Sequence, residues 1–175
     1  MPEVKNESLN FDKVWAALME NREQINKTSQ QIGSLGKRLG EFTESMVRPD
    51  VVEKFNSLGF HFDDMYQNRI IRDPKTGHSI AELDIVLENH NFVIVIEVKF
   101  KLDYKDVDRH IERMGVLRSI ADSRQDKRKY HAAIASAIVT DETRRYALKA
   151  GFYVLEQSGD IMKLNLPEGF FPREW

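Results

Sequence analysis

Residues 81–100 read AELDIVLENHNFVIVIEVKF, and this stretch decides the fold. In an extended chain, Phe92, Ile94, Ile96, Val98 and Phe100 make one face wholly apolar, and Val93 and Val95 carry apolarity to the other. A strand apolar on both faces belongs inside a sheet covered on both sides. Yet this strand ends in Glu97 and Lys99, which share the face of Val93 and Val95, and Glu82 and Asp84 share a face on the segment before it. Buried charges need partners or ions.

The pairing of the two segments determines whether these charges meet. If Asn89 and His90 turn an antiparallel hairpin, Glu88 pairs with Asn91, Asp84 with Val95 and Glu82 with Glu97. Asp84 and Glu97 then become diagonal neighbours on one face, roughly 7–8 Å apart. A slip of one residue would put them on opposite faces. Carboxylates so crowded repel and raise one another's pKa, and a divalent cation resolves the conflict. Hard oxygen ligands without histidine or cysteine favour Mg²⁺ or Mn²⁺ over zinc. Lys99 cannot ligate while protonated, but it can orient the attacking water, assist its deprotonation or hold a phosphate oxygen. Glu82 is either a further ligand or, on the preferred reading, a bystander.

Outward from this pair, the chain reads as an α/β domain. Residues 41–57 have helical spacing interrupted at Pro49, and a strand is expected over 61–72. A turn in DPKTG leads to a strand over 79–88, and a third strand runs over 92–101. Val107, Ile111, Met114, Leu117 and Ala121 form one face of a helix. A short buried strand (HAAIASAIV), a helix capped by Thr140 or Asp141 and ended by Gly151, another strand (FYVLE) and a last hairpin through QSGD follow. Helices alternating with strands predict a mixed sheet flanked by helices.

The first forty residues differ. Phe11, Leu18, Ile25, Ile32 and Leu39 recur every seventh residue, with Val14 and Leu35 on the second seam position. Asn21 and Thr28 occupy the intervening second positions, and polar seam residues fix register and partner number. The pattern predicts a helix from about residue 8 to about residue 38, weakened near its end by Gly33, Gly36 and Gly40. The expected organisation is a helical, coiled-coil arm over 1–38 that self-associates, followed by one domain over 39–175. The alternative is a helix lying on its own domain.

Composition narrows the setting. The 175 residues are 41% hydrophobic and 31% charged, enough for one domain with a core. With 26 basic and 28 acidic residues, no global field draws the chain to nucleic acid, so any such binding needs local patches. Candidates are Arg69 and Arg72, Arg109 with Arg113, the run from Arg124 to Lys129, and Arg144 with Arg145. The absence of cysteine excludes a disulfide framework. No export signal or apolar run of membrane-spanning length is visible, so a cytoplasmic protein without membrane partners is expected.

The pattern Glu82-Leu83-Asp84 followed by Ile96-Glu97-Val98-Lys99 resembles the signature of the PD-(D/E)XK phosphodiesterase superfamily, the restriction-endonuclease-like fold. Gly40 to Glu44 resembles the G-x-x-x-E that many members carry on their first core helix. The whole chain is similar to a prokaryotic family in which a coiled-coil segment precedes such a domain. Leu83 stands where the signature has proline. The resemblance implies a restriction-endonuclease-like mixed sheet and metal-assisted hydrolysis of phosphodiester bonds in nucleic acid, DNA first. It implies that Asp84, Glu97 and the Val98 carbonyl hold Mg²⁺ (or Mn²⁺), that Glu44 reaches the ion directly or through water, and that Lys99 positions the nucleophile. Two other readings stand beside it: a catalytically silent interaction module recruiting a partner through its helical arm, and a metal-dependent enzyme acting on another phosphate substrate.

Overall fold

The computed structural model describes residues 11–73 and 76–175. Residues 8–10, where the arm helix is expected to start, and Pro74 and Lys75 of the expected turn lie outside the described residues. The chain divides between Leu39 and Gly40 into two units.

The first helix, α1 (Phe11–Val47), runs 37 residues without a break. It therefore continues past the expected end near residue 38. The three glycines do not stop it. Each costs about 1 kcal/mol of helix propensity, too little to interrupt a long helix that is already propagating. The helix ends where Pro49 approaches, and a turn over residues 48–50 leads into α2 (Val51–Asn56). Residues 11–38 are all exposed, and burial begins only at the last turns, at Thr43 and Val47.

Six strands and two helices follow: β1 (Asp64–Arg72), β2 (Ser79–Glu88), β3 (Phe92–Lys101), α3 (Tyr104–Ser123), β4 (Lys129–Ile138), α4 (Asp141–Lys149), β5 (Tyr153–Ser158) and β6 (Ile161–Leu164). The sheet order is the chain order. β1–β2, β2–β3 and β5–β6 pair antiparallel, while β3–β4 and β4–β5 pair parallel, each parallel connection being made by one helix. The fold is α/β with a six-stranded mixed sheet and a long N-terminal helix. β1 starts three residues later than expected because His61 adopts a left-handed backbone (φ 57°) that breaks the extension.

Both faces of the sheet are covered. On one, Val47, Val51, Phe55 and Phe62 meet Ile85, Leu87, Ile94, Ile96, Val98 and Tyr153. On the other, Val107, Met114 and Leu117 of α3 and Ala147 of α4 meet Val86, Val93, Val95 and Ile134. Each such buried aliphatic side chain contributes about 1.5–3 kcal/mol. The α3 face that turns inward includes His110 as well as the expected apolar residues, and Ile111 is only half-buried. α3 begins at a reciprocal cap: the Asp106 N–H donates to Asp103 Oδ1 (2.9 Å) and the Asp103 N–H to Asp106 Oδ2 (3.1 Å). α4 is capped in the same manner by Thr140 and Thr143. Gly151, at φ +83°, ends the turn after α4, and a Cβ there would lie 2.6 Å from Arg173 backbone nitrogen.

Candidate active site at the split end of strands β2 and β3

Pairing between β2 and β3 runs from Glu88↔Val93 through Leu87↔Ile94 and Val86↔Val95 to Ile85↔Ile96, and stops there. This register is displaced by two residues from the one a two-residue Asn89–His90 turn would give. The cause is the Asn89 side chain. Its Oδ1 accepts from the N–H groups of Asn91 (2.9 Å) and Phe92 (2.8 Å), while its Nδ2 donates to the carbonyls of Phe60 (2.6 Å) and His61 (3.1 Å). An amide held on four sides needs a wider connection, which the Asn89 N–H closes onto the Phe92 carbonyl at 3.0 Å. A displacement of two leaves each side chain on its face. Extrapolated beyond the last pair, this register sets Asp84 across from Glu97, and not at the diagonal position expected. Glu82, expected opposite Glu97, is exposed and lies across from Ile70 of β1.

Beyond Ile85 the strands part, and the Asp84 carboxylate takes the place of a backbone acceptor. Its Oδ2 accepts from the Val98 N–H at 2.7 Å. An extended residue sends its N–H and C=O toward the same neighbouring strand, so the Val98 carbonyl faces the same gap. Glu97 is 5% exposed. One of its oxygens pairs with Lys99 Nζ at 2.7 Å, and the other accepts from the Arg113 guanidinium of α3. Behind it, His110 is buried with Nε2 3.2 Å from the Val95 carbonyl. A carbonyl only accepts, so Nε2 carries the proton. The His110 Nδ1 has no hydrogen-bond partner among the described residues.

These surroundings separate the two carboxyl groups electrostatically. Asp84 is pushed up to about 6, first by burial and then by the Glu97 charge; the Val98 N–H and Lys99 oppose this, and Glu44 adds to it. Burial alone would raise Glu97 as well, but the hydrogen bond and charge of Lys99, with Arg113, outweigh it and hold Glu97 below the usual carboxylate range. Burial pushes the His110 imidazole down to about 4 despite the nearby Glu97 charge. The half-buried Glu44, on the last turns of α1, thus stands near enough to act on Asp84 through its charge.

The structure brings Asp84, Glu97, Val98 and Lys99 together at one end of the sheet, with Glu44 in their field. It adds Arg113, which sequence reasoning grouped with Arg109 as a phosphate contact; its place depends on how α3 crosses β3, which no local pattern encodes. Four of the other basic candidates are engaged by acidic neighbours. Arg109 pairs with Asp106 (2.8 Å), Arg128 with Asp126 (2.7 Å) and Glu88 (3.2 Å), and Arg69 with Glu88 (3.3 Å). Arg144 is held by Glu156 and Asp141. A broad cleft of about 870 Å³ lined by Asp63, Glu88, Asn91, Asp126 and Arg128 lies at the other end of β3, away from Glu97.

Among the described residues, no three His, Cys, Asp or Glu side chains converge closely enough to form a metal-binding group by themselves. Asp84 and Glu97 are nevertheless two neighbouring hard-oxygen donors, and the Glu97 charge acts against ionisation of Asp84. Mg²⁺ binds through one or two carboxylates while keeping several waters, so this donor set fits it. Among the described residues, no helix is long and apolar enough to cross a membrane.

No family model matches the chain, and no curated protein does. Among solved structures, the small subunit of the heterodimeric restriction endonuclease R.BspD6I is similar at 18% identity over 69% of this chain and 71% of its own, with a TM-score of 0.32.

Proposed function

We propose that the chain is a metal-dependent nuclease of restriction-endonuclease-like fold, hydrolysing phosphodiester bonds in nucleic acid, with DNA as the first substrate to test. The observation that carries this reading is the parting of β2 and β3 around Asp84 and Glu97, which share a face and feel each other's charge beside Lys99. Asp84, Glu97 and the Val98 carbonyl would hold Mg²⁺ or Mn²⁺, with Glu44 as an outer contributor. When bound, such an ion lowers the pKa of water and offsets charge on the scissile phosphate.

The chain's own groups do the rest. Asp84 carries a raised pKa and the Val98 N–H fixes its orientation. Lys99, with its side chain 34% exposed, can swing between Glu97 and an arriving phosphate or water. Arg113 neutralises Glu97 until substrate offers both cations another anion. Calorimetry with Mn²⁺ and Mg²⁺ on wild type and Asp84→Asn, with plasmid cleavage by wild type and Lys99→Ala, tests the proposal. Binding and cleavage lost in the respective variants support it. No divalent binding with or without DNA, and no difference among the proteins, would refute it.

A second reading has its own observation in favour. Glu97 is paired with two cations, Lys99 and Arg113, which would suit a nuclease-type fold kept as a silent scaffold. The same calorimetry separates the two. On either reading the arm is taken to join two copies of the chain.

A further inference from the structure

We infer that the arm forms a parallel, in-register pair with a second copy of this chain. This inference does not rest on the nuclease reading. α1 gains no tertiary stabilisation over the arm. Over residues 11–38 it is exposed on all sides, including Phe11 (76%), Ile25 (65%) and Ile32 (65%), and it contains Gly33 and Gly36. A helix so exposed is held by what covers its seam. The seam itself specifies the occupant. A strict seven-residue repeat matches another helix with the same repeat, and this one is self-complementary.

The seam has two kinds of layer. Phe11, Leu18, Ile25, Ile32 and Leu39 form the first, all apolar; Val14, Asn21, Thr28 and Leu35 form the second. In an antiparallel pair, first-kind residues always face second-kind residues. Every antiparallel register in which the two positions are paired therefore sets Asn21 and Thr28 against apolar side chains. In a parallel, in-register pair, Asn21 faces Asn21 and Thr28 faces Thr28, so each polar group meets a polar group. The flanks allow this. The residues that meet across a parallel seam are Ala17 with Arg22, Gln24 with Ser29 and Gln31 with Gly36, and no like charges oppose each other.

Both chains leave a parallel pair at the same end, related by a two-fold axis along the pair. An antiparallel pair overlapping over residues 11–39 would instead separate the chain exits by roughly 40 Å.

The chain has no cysteine, so single introduced thiols report cleanly. Full-length Leu18→Cys and Leu35→Cys are oxidised separately and as a mixture, with sedimentation velocity on the unmodified protein as the independent readout. Each variant alone is expected to give a covalent dimer, and the unmodified protein to sediment as a dimer. Cross-linking only in the mixture would establish an antiparallel pair and overturn the inference, as would a monomer.

Discussion

Replacing Asp84 with asparagine removes a charge that the fold holds against resistance, and the protein is expected to become more stable. The carboxyl group is raised from 3.8 to about 6, chiefly by burial and by Glu97. At 1.36 kcal/mol per tenfold change in proton affinity, this corresponds to about 3 kcal/mol opposing ionisation. Asp84 is only partly buried, and screening by solvent reduces the figure to about 1–2 kcal/mol. Below pH 3.8 the group is protonated in both folded and unfolded chains and costs nothing. Between 3.8 and about 6 the unfolded chain ionises while the folded one keeps its proton, so stability falls as pH rises; above 6 the full cost remains. Asparagine does not ionise, and its Oδ1 can still accept from the Val98 N–H. In metal-free buffer at pH 7.5, Asp84→Asn should raise Tm by about 3–6 °C. The gain should shrink toward zero by pH 4. Added Mg²⁺ should stabilise wild type and leave the variant unmoved. A variant that is neutral or destabilised at pH 7.5, or whose gain is the same at pH 4, would refute the electrostatic account of the site.

The same site and fold set three further outcomes. Lys99→Ala should lower plasmid cleavage about 10²–10³-fold while far-UV circular dichroism stays unchanged, because the lysine stands at the exposed edge of the site. Arg113→Gln should tighten Mn²⁺ binding in the absence of DNA by about tenfold in calorimetry, since Glu97 loses a competing cation, and should lower Tm because a buried carboxylate loses a partner. Gly151→Ala should cost about 2–4 kcal/mol, read as a Tm drop of about 5–10 °C, because a methyl group there meets the Arg173 backbone from an already left-handed conformation.

The order of helices and strands could be read from the chain because hydrophobic periodicity and caps are local. The face shared by Asp84 and Glu97 was legible for the same reason: strand alternation survives any even displacement. The register itself was not, because the width of the β2–β3 turn is set by Asn89 bonding to Phe60 and His61, some 28 residues away in sequence. The glycines near residue 36 weaken the helix without ending it, because each costs too little against a helix already propagating. Arg113 and His110 reach Glu97 from another element, and only the packing of α3 on β3 puts them there. Arg69, Arg109, Arg128 and Arg144, considered as phosphate contacts, hold acidic neighbours, which composition cannot reveal.

The hydrogen-bonded ladder of β2 and β3 ends one residue before Asp84. The side chains that give the domain its chemistry therefore lie past the last rung shared by β2 and β3, on stretches still held from outside by β1 and β4. Residue 84 can change without breaking a rung of that ladder, whereas Glu97, buried and tied to Lys99 and Arg113, is anchored in the packed domain. Drift that silences the site would therefore act at residue 84 first and leave the scaffold standing.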